Sequence, residues 1–108
     1  MQFEHLMPEL RQISMEAGFL VCKIREGKVQ VGTKSDGSFV TTADLESDRL
    51  IKRRLRAAFP NIPIVSEESR VPKVDQSKPV FVVDPLDGTR DYVNGMSGFS
   101  VNIGIVLD

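Results

Sequence analysis

The 108-residue chain has no tryptophan, one tyrosine, one cysteine and one histidine. A lone cysteine, Cys22, excludes an internal disulfide and fits a reducing compartment. A lone histidine, His5, with no cysteine or second histidine beside it, argues against zinc and is expected on the surface. Charge of one sign is missing too. With 14 basic and 15 acidic residues the net charge is −1, which gives no general attraction to nucleic acid or to an anionic membrane. The longest purely apolar runs, residues 19–22 and 80–83, are four residues each. That is far below the ~20 that span a bilayer. Glycine-rich nucleotide loops, repeats and low-complexity stretches are absent. The N-terminus lacks the basic-then-apolar layout of a signal peptide, so a cytoplasmic protein is expected.

The remaining composition, 41% hydrophobic and 27% charged, is that of a soluble globular domain with room for one core. Phe3, Leu6, Met7, Leu10, Ile13, Ala17, Leu20, Val21 and Ile24 recur at steps of three and four, which predicts one long amphipathic helix ended by Gly27. Cys22, beside that stripe, is expected as a buried structural thiol. Residues 28–33 alternate weakly, and a polar turn with Asp36-Gly37 follows. Thr41 or Thr42 is placed to cap a second helix with an inward face of Leu45, Leu50, Ile51, Leu55 and Ala58, stopped by Pro60. Its Lys52, Arg53, Arg54 and Arg56 are expected as a solvated basic face. Residues 62–65 predict a short strand, 70–79 a polar connection, and 80–83 an apolar strand buried on both faces. Residues 94–98 form a turn. Phe99, Val101, Ile103, Ile105 and Leu107 then alternate with their neighbours as a strand with one buried face. Helices first and strands afterwards predict an α+β layered domain, and a chain ending on its most strand-like segment suggests that a further part belongs with it.

The segment that can carry chemistry is Asp84-Pro85-Leu86-Asp87-Gly88-Thr89. Two carboxylates three apart across a proline turn, with the Leu86 carbonyl between them, offer the hard oxygens that Mg²⁺ prefers. Gly88 permits a close backbone approach, and Gly88 and Thr89 open a helix whose free N–H groups suit a phosphate. Glu67-Glu68 follows a strand. Alone, such a pair is ordinary solvated surface, but beside the first segment it can supply a carboxylate that bridges metal and attacking water. Asp44, with Glu46 and Asp48, would by itself be the wet first turn of helix two. At that helix start it can also point into a cleft.

Asp44, then Glu67-Glu68, then Asp84 to Thr89, in that order and with Glu67 23 positions after Asp44, resembles the inositol monophosphatase superfamily of Li⁺-sensitive phosphatases. Within it, Val65-Ser66-Glu67-Glu68, Val82-Val83-Asp84-Pro85-Leu86, Thr89-Arg90-Asp91-Tyr92 and Phe99-Ser100-Val101-Asn102-Ile103 are similar to the bacterial 3′(2′),5′-bisphosphate nucleotidases. The resemblance implies two N-terminal helices on a mainly antiparallel sheet, the N-terminal half of the layered sugar-phosphatase fold. It implies that residues 1–108 are the metal-binding part and that a substrate-binding half with a further Asp ligand in a Trp-Asp motif is absent. It implies Mg²⁺ held by Glu67, Asp84, the Leu86 carbonyl and Asp87, water activation by Glu67, Asp44 and Thr89, and phosphate contacts from Gly88 and Thr89. The implied activity is hydrolysis of a small phosphate monoester, with adenosine 3′,5′-bisphosphate first and inositol 1-phosphate or fructose 1,6-bisphosphate as alternatives. A metal- or phosphate-binding half-domain without turnover is the reading outside enzymes. Expected partners are the small phosphorylated substrate and a second copy in a homodimer, with neither nucleic acid nor membrane.

Overall fold

The computed structural model of the chain describes residues 5–27, 31–34, 39–66 and 78–107. The elements run α1 (Leu6–Glu26), β1 (Val31–Thr33), β2 (Phe39–Thr41), α2 (Thr42–Ala58), β3 (Ile64–Ser66), β4 (Val80–Asp87), α3 (Thr89–Val93) and β5 (Ser100–Val106). Phe3, the Asp36-Gly37 turn, Glu67, Glu68 and most of the 70–79 connection lie outside the described residues.

α1 buries Leu6, Leu10, Ile13, Ala17 and Val21, the predicted stripe, and stops where the Gly27 N–H bonds the Ile24 carbonyl. Met7 of that stripe is exposed. Cys22 is exposed as well, not buried: it follows Val21, and one helical step of about 100° turns its side chain off the packed face. Thr41, rather than Thr42, caps α2. Its hydroxyl accepts from the Asp44 N–H, and the Asp44 carboxylate accepts from the Thr41 N–H, a reciprocal capping box.

The inward face of α2 differs from the apolar pattern. Its buried residues are Ala43, Asp44, Ser47, Asp48, Ile51 and Leu55, while Leu45 and Ala58 are exposed. Counting apolar residues alone missed that the first half of this stripe is polar and hydrogen-bonded. The basic cluster divides in the same way. Arg53 and Arg56 are exposed, but Lys52 pairs with Asp48 at 2.8 Å. Arg54 binds Glu16 and, at 3.2 Å, Glu9, pinning α2 to α1.

β3, β4 and β5 form one sheet with β4 in the centre, and β1 and β2 form a separate antiparallel ribbon. β4 pairs antiparallel with β5 and parallel with β3, so one parallel ladder sits in the α+β sheet. α2 lies over β4 and α1 over β5. Phe81 and Val83 of β4 face the helices with Ile64 of β3, and Val101, Ile103 and Ile105 of β5 pack against the same core. Burying side chains of this size stabilises by about 1.5–3 kcal/mol each. β4 is not buried on both faces, however. Val82 is 43% exposed, because α1 and α2 cover only one side of the sheet among the described residues. The strand also runs on through Asp87, with an irregular register between Asp84 and Asp87.

Candidate active site

The parallel pair β3–β4 places two strand ends side by side, with Ser66 opposite Val83. The chain continues from Ser66 into Glu67 and from Val83 into Asp84. The carboxyl ends of parallel strands are where open sheets gather their ligands. In a regular strand Asp84 and Asp87, three apart, would point to opposite faces. The irregularity between them lifts that constraint.

Gly88 then turns the chain into α3 at φ 82°, ψ 38°, a left-handed conformation that glycine adopts without penalty. A β-carbon at Gly88 would also overlap the carbonyl oxygen of Gly98, so the 94–98 turn packs backbone to backbone against the start of α3. That turn is held by Met96 N–H to the Asp91 carbonyl at 2.8 Å and by Arg25, which bonds the Met96 carbonyl at 2.5 Å. The Arg25 guanidinium lies over the rings of Tyr92 (5.2 Å) and Phe99 (4.8 Å). Tyr92 is buried, donates to the Val21 carbonyl at 2.7 Å and has its hydroxyl pKa pushed up by burial. α3 is five residues long, too short for a sizeable dipole, so what it can offer an anion is its free N–H groups.

Thr89 sits at the junction. Its hydroxyl is 3.1 Å from Asp44 Oδ1 and 3.2 Å from the Leu86 carbonyl oxygen. Asp44 is 1% exposed. Its other oxygen accepts from the Thr41 N–H at 2.8 Å and the Thr41 hydroxyl at 2.6 Å, which fixes the carboxylate in one orientation. A carboxylate is the stronger acceptor. With its O–H directed at Asp44, the Thr89 oxygen keeps lone pairs for another donor.

The structure therefore brings Asp44, Leu86, Gly88 and Thr89 together, with Asp84 and Asp87 on the same segment. Glu67 lies outside the described residues, and among those described no three acidic, histidine or cysteine side chains cluster as a ligand set. The segment nonetheless suits a hard cation. Asp84 has interactions of its own, yet its Oδ1 is buried and accepts no hydrogen bond from the described residues, an arrangement whose cost a cation at that oxygen would relieve. Two carboxylates and a carbonyl within four residues supply only hard oxygens.

Two polar residues of α2 escaped the sequence reading. Ser47 donates to the Pro85 carbonyl at 2.7 Å. Asp48, expected on the wet face, is buried and accepts from the Ser66 hydroxyl. The signal was present, since Asp44, Ser47 and Asp48 continue the Ile51–Leu55 stripe at steps of three and four.

The chain belongs to the inositol monophosphatase family, which matches residues 4–108. It is 34% identical over 106 residues to the 3′(2′),5′-bisphosphate nucleotidase CysQ of Haemophilus influenzae, covering 95% of this chain and 39% of that protein. It is 36% identical over 92 residues to the Nus factor SuhB of Pasteurella multocida, covering 83% of this chain and 34% of that one. Among solved structures, the extragenic suppressor protein suhB from Bartonella henselae superposes with a TM-score of 0.86 at 30% identity, over 94% of this chain and 40% of that one. The chain thus spans about two fifths of the length of the curated relatives it matches, and the matched stretch is their N-terminal part. No helix among the described residues is long and apolar enough to cross a membrane.

Proposed function

We propose that the whole protein to which these residues belong is a Mg²⁺-dependent phosphatase of small phosphate monoesters, and that residues 1–108 are its N-terminal metal-binding part. The observation that carries the proposal is the hydrogen bond between Thr89 and the buried, doubly anchored Asp44, at the end of the Asp84–Asp87 segment. Glu67, Asp84, Asp87 and the Leu86 carbonyl would hold the ion. When bound, such an ion lowers the pKa of water and offsets charge on the phosphate.

The remaining work falls to the chain's own groups. Asp44 accepts a hydrogen bond from the Thr89 hydroxyl, and the Thr89 oxygen takes a hydrogen bond from the attacking water. Glu67 offers a second acceptor for that water. The N–H groups of Gly88 and Thr89 bind phosphate oxygens, and the close packing of Gly88 on Gly98 keeps them in place. Water attacks phosphorus in line with the ester oxygen as the ester P–O bond breaks, one water proton ends on the leaving oxygen, and phosphate and the free alcohol are released with no covalent intermediate on the protein.

For the substrate, the bisphosphate nucleotidase relatives favour a 3′(2′),5′-bisphosphate nucleotide, with inositol 1-phosphate and fructose 1,6-bisphosphate as the alternatives. The protein is proposed to act in the cytoplasm. Phosphate release from these three substrates, measured side by side with the full-length protein, is the test. Fastest turnover of adenosine 3′,5′-bisphosphate is expected. Turnover of none of them in the presence of Mg²⁺ would remove the proposal.

A further inference from the structure

The inward face of α2 is polar at its start and apolar beyond. Asp44, Ser47, Asp48, Ile51 and Leu55 line up on one face and all are buried. Each of the three polar residues holds a different segment. Asp44 holds Thr89 at the start of α3. Ser47 holds the Pro85 carbonyl inside β4. Asp48 accepts from Ser66 at the end of β3 and binds Lys52 through its second oxygen.

Burying a hydroxyl pair and an ion pair here is costly to desolvate, and apolar side chains of similar volume would fill the same space more cheaply. What the polar groups add is direction. Ser66 directly precedes Glu67, and Pro85 lies between Asp84 and Asp87. The β3–β4 ladder sets the two strands along and across the sheet. Ser47 and Asp48 tie the same two strand ends to one rigid helix, a contact from outside the sheet plane.

We infer that Ser47 and Asp48 are positioning residues that hold the carboxyl ends of β3 and β4 against α2 and so set where the Asp84–Asp87 segment stands relative to the end of β3. The inference rests on the proposal that these carboxylates bind a divalent ion. It goes beyond that proposal in assigning two residues that touch neither ion nor substrate. Partners that orient metal ligands are typically worth 10- to 100-fold in metal affinity when lost.

The test uses the full-length protein and reads Mg²⁺ affinity by calorimetry without substrate, the melting temperature of the metal-free protein, and kcat against KM. Ser66→Ala should weaken Mg²⁺ binding by about tenfold or more, lower kcat, and leave the substrate KM nearly unchanged. Ser47→Ala should act in the same direction. Asp48→Ala alone strands the Lys52 charge and can unfold the protein, so it is made with Lys52→Met. That double variant should match Ser66→Ala. Asp48→Asn with Lys52→Met, which keeps an acceptor for the Ser66 hydroxyl, should recover most of the affinity. Ile51→Val, a core change on the same helix, should lower the melting temperature and leave Mg²⁺ affinity where it was.

Wild-type Mg²⁺ affinity in Ser66→Ala and in the Asp48→Ala/Lys52→Met variant would overturn the inference while leaving the metal site intact. An equal loss in Ile51→Val would also overturn it, because stability alone would then explain the effect. A wild-type protein that binds no Mg²⁺ would overturn the metal site itself, and the inference with it.

Discussion

Asp44 Oδ1 and Thr89 Oγ1 lie 3.1 Å apart although 45 positions separate them in the chain. The same carboxylate closes the capping box of α2 through its other oxygen. One side chain thus ends a helix and orients a hydroxyl. If Thr89 were merely a structural polar residue, Thr89→Ala would cost about 1 kcal/mol of stability and little rate. If it positions the attacking water, Thr89→Ala should lower kcat by about 10²- to 10⁴-fold, and Thr89→Ser should keep most of the rate. Asp44→Asn should resemble Thr89→Ala, with the double variant scarcely slower than either. Multiplicative losses in full-length protein at saturating Mg²⁺ would show that the two act separately.

Asp87→Asn removes one of the proposed ligand charges from an exposed position at the end of β4. Turnover by the full-length protein should fall to background while the metal-free melting temperature is unchanged or slightly raised, because carboxylates held near one another repel until a cation enters. Excess chelator should likewise stop the wild-type reaction. Li⁺ should inhibit by competing for a Mg²⁺ position with half the charge. Activity that persists in chelator would rule out the metal assignment.

Gly88 and Gly95 make an internal comparison. Both have positive φ, 82° and 77°, but a β-carbon at Gly95 meets nothing within 4 Å, whereas at Gly88 it overlaps the Gly98 carbonyl. Gly95→Ala should cost about 1–2 kcal/mol, the left-handed penalty alone. Gly88→Ala adds backbone displacement and should cost at least about 1 kcal/mol more, together with most of the phosphate affinity. Denaturant midpoints of the two variants give the comparison.

The Glu16 carboxyl is held below its ordinary value of 4.5, chiefly by its hydrogen bond from Arg54. A carboxyl whose folded value is lower than its unfolded one stabilises above the unfolded value and loses that contribution as pH falls through the folded value. Melting temperature should therefore drop as pH is lowered below about 4.5, and Arg54→Met should flatten that part of the curve. Both groups sit near the surface, so added salt should shrink the effect. An identical acid limb in Arg54→Met would mean that other carboxylates carry it.

β5 pairs with β4 on one side only among the described residues, and Val82, Val106 and Leu107 are exposed. Unpaired backbone beside an apolar face invites another strand. The 108 residues on their own should self-associate, whereas full-length protein should show a defined oligomer. Light scattering that reports a monodisperse monomer for the 108 residues would contradict this.

Much of this protein was legible in its sequence, for local reasons. The α1 stripe, the Gly27 stop, a threonine cap at 41 or 42, the alternation of β5 and a turn at Gly88 each depend on near neighbours in the chain, which periodicity and residue chemistry report directly. The Asp84–Thr89 string stands out for the same reason, since its hard oxygens lie within six residues, and that they hold an ion is the proposal. Tertiary structure decided what depends on partners far along the chain. A polar residue on a helix belongs in water unless something buried meets it, and the sequence does not display Ser66 or the Pro85 carbonyl beside α2. Asp48 therefore read as surface and Ser47 carried no signal of its own, although both are buried. Val82 read as core, yet it is exposed, because an apolar strand does not state how many of its faces will be covered. Both the burial that desolvates a polar group and the hydrogen bond that offsets its cost depend on where the rest of the chain folds.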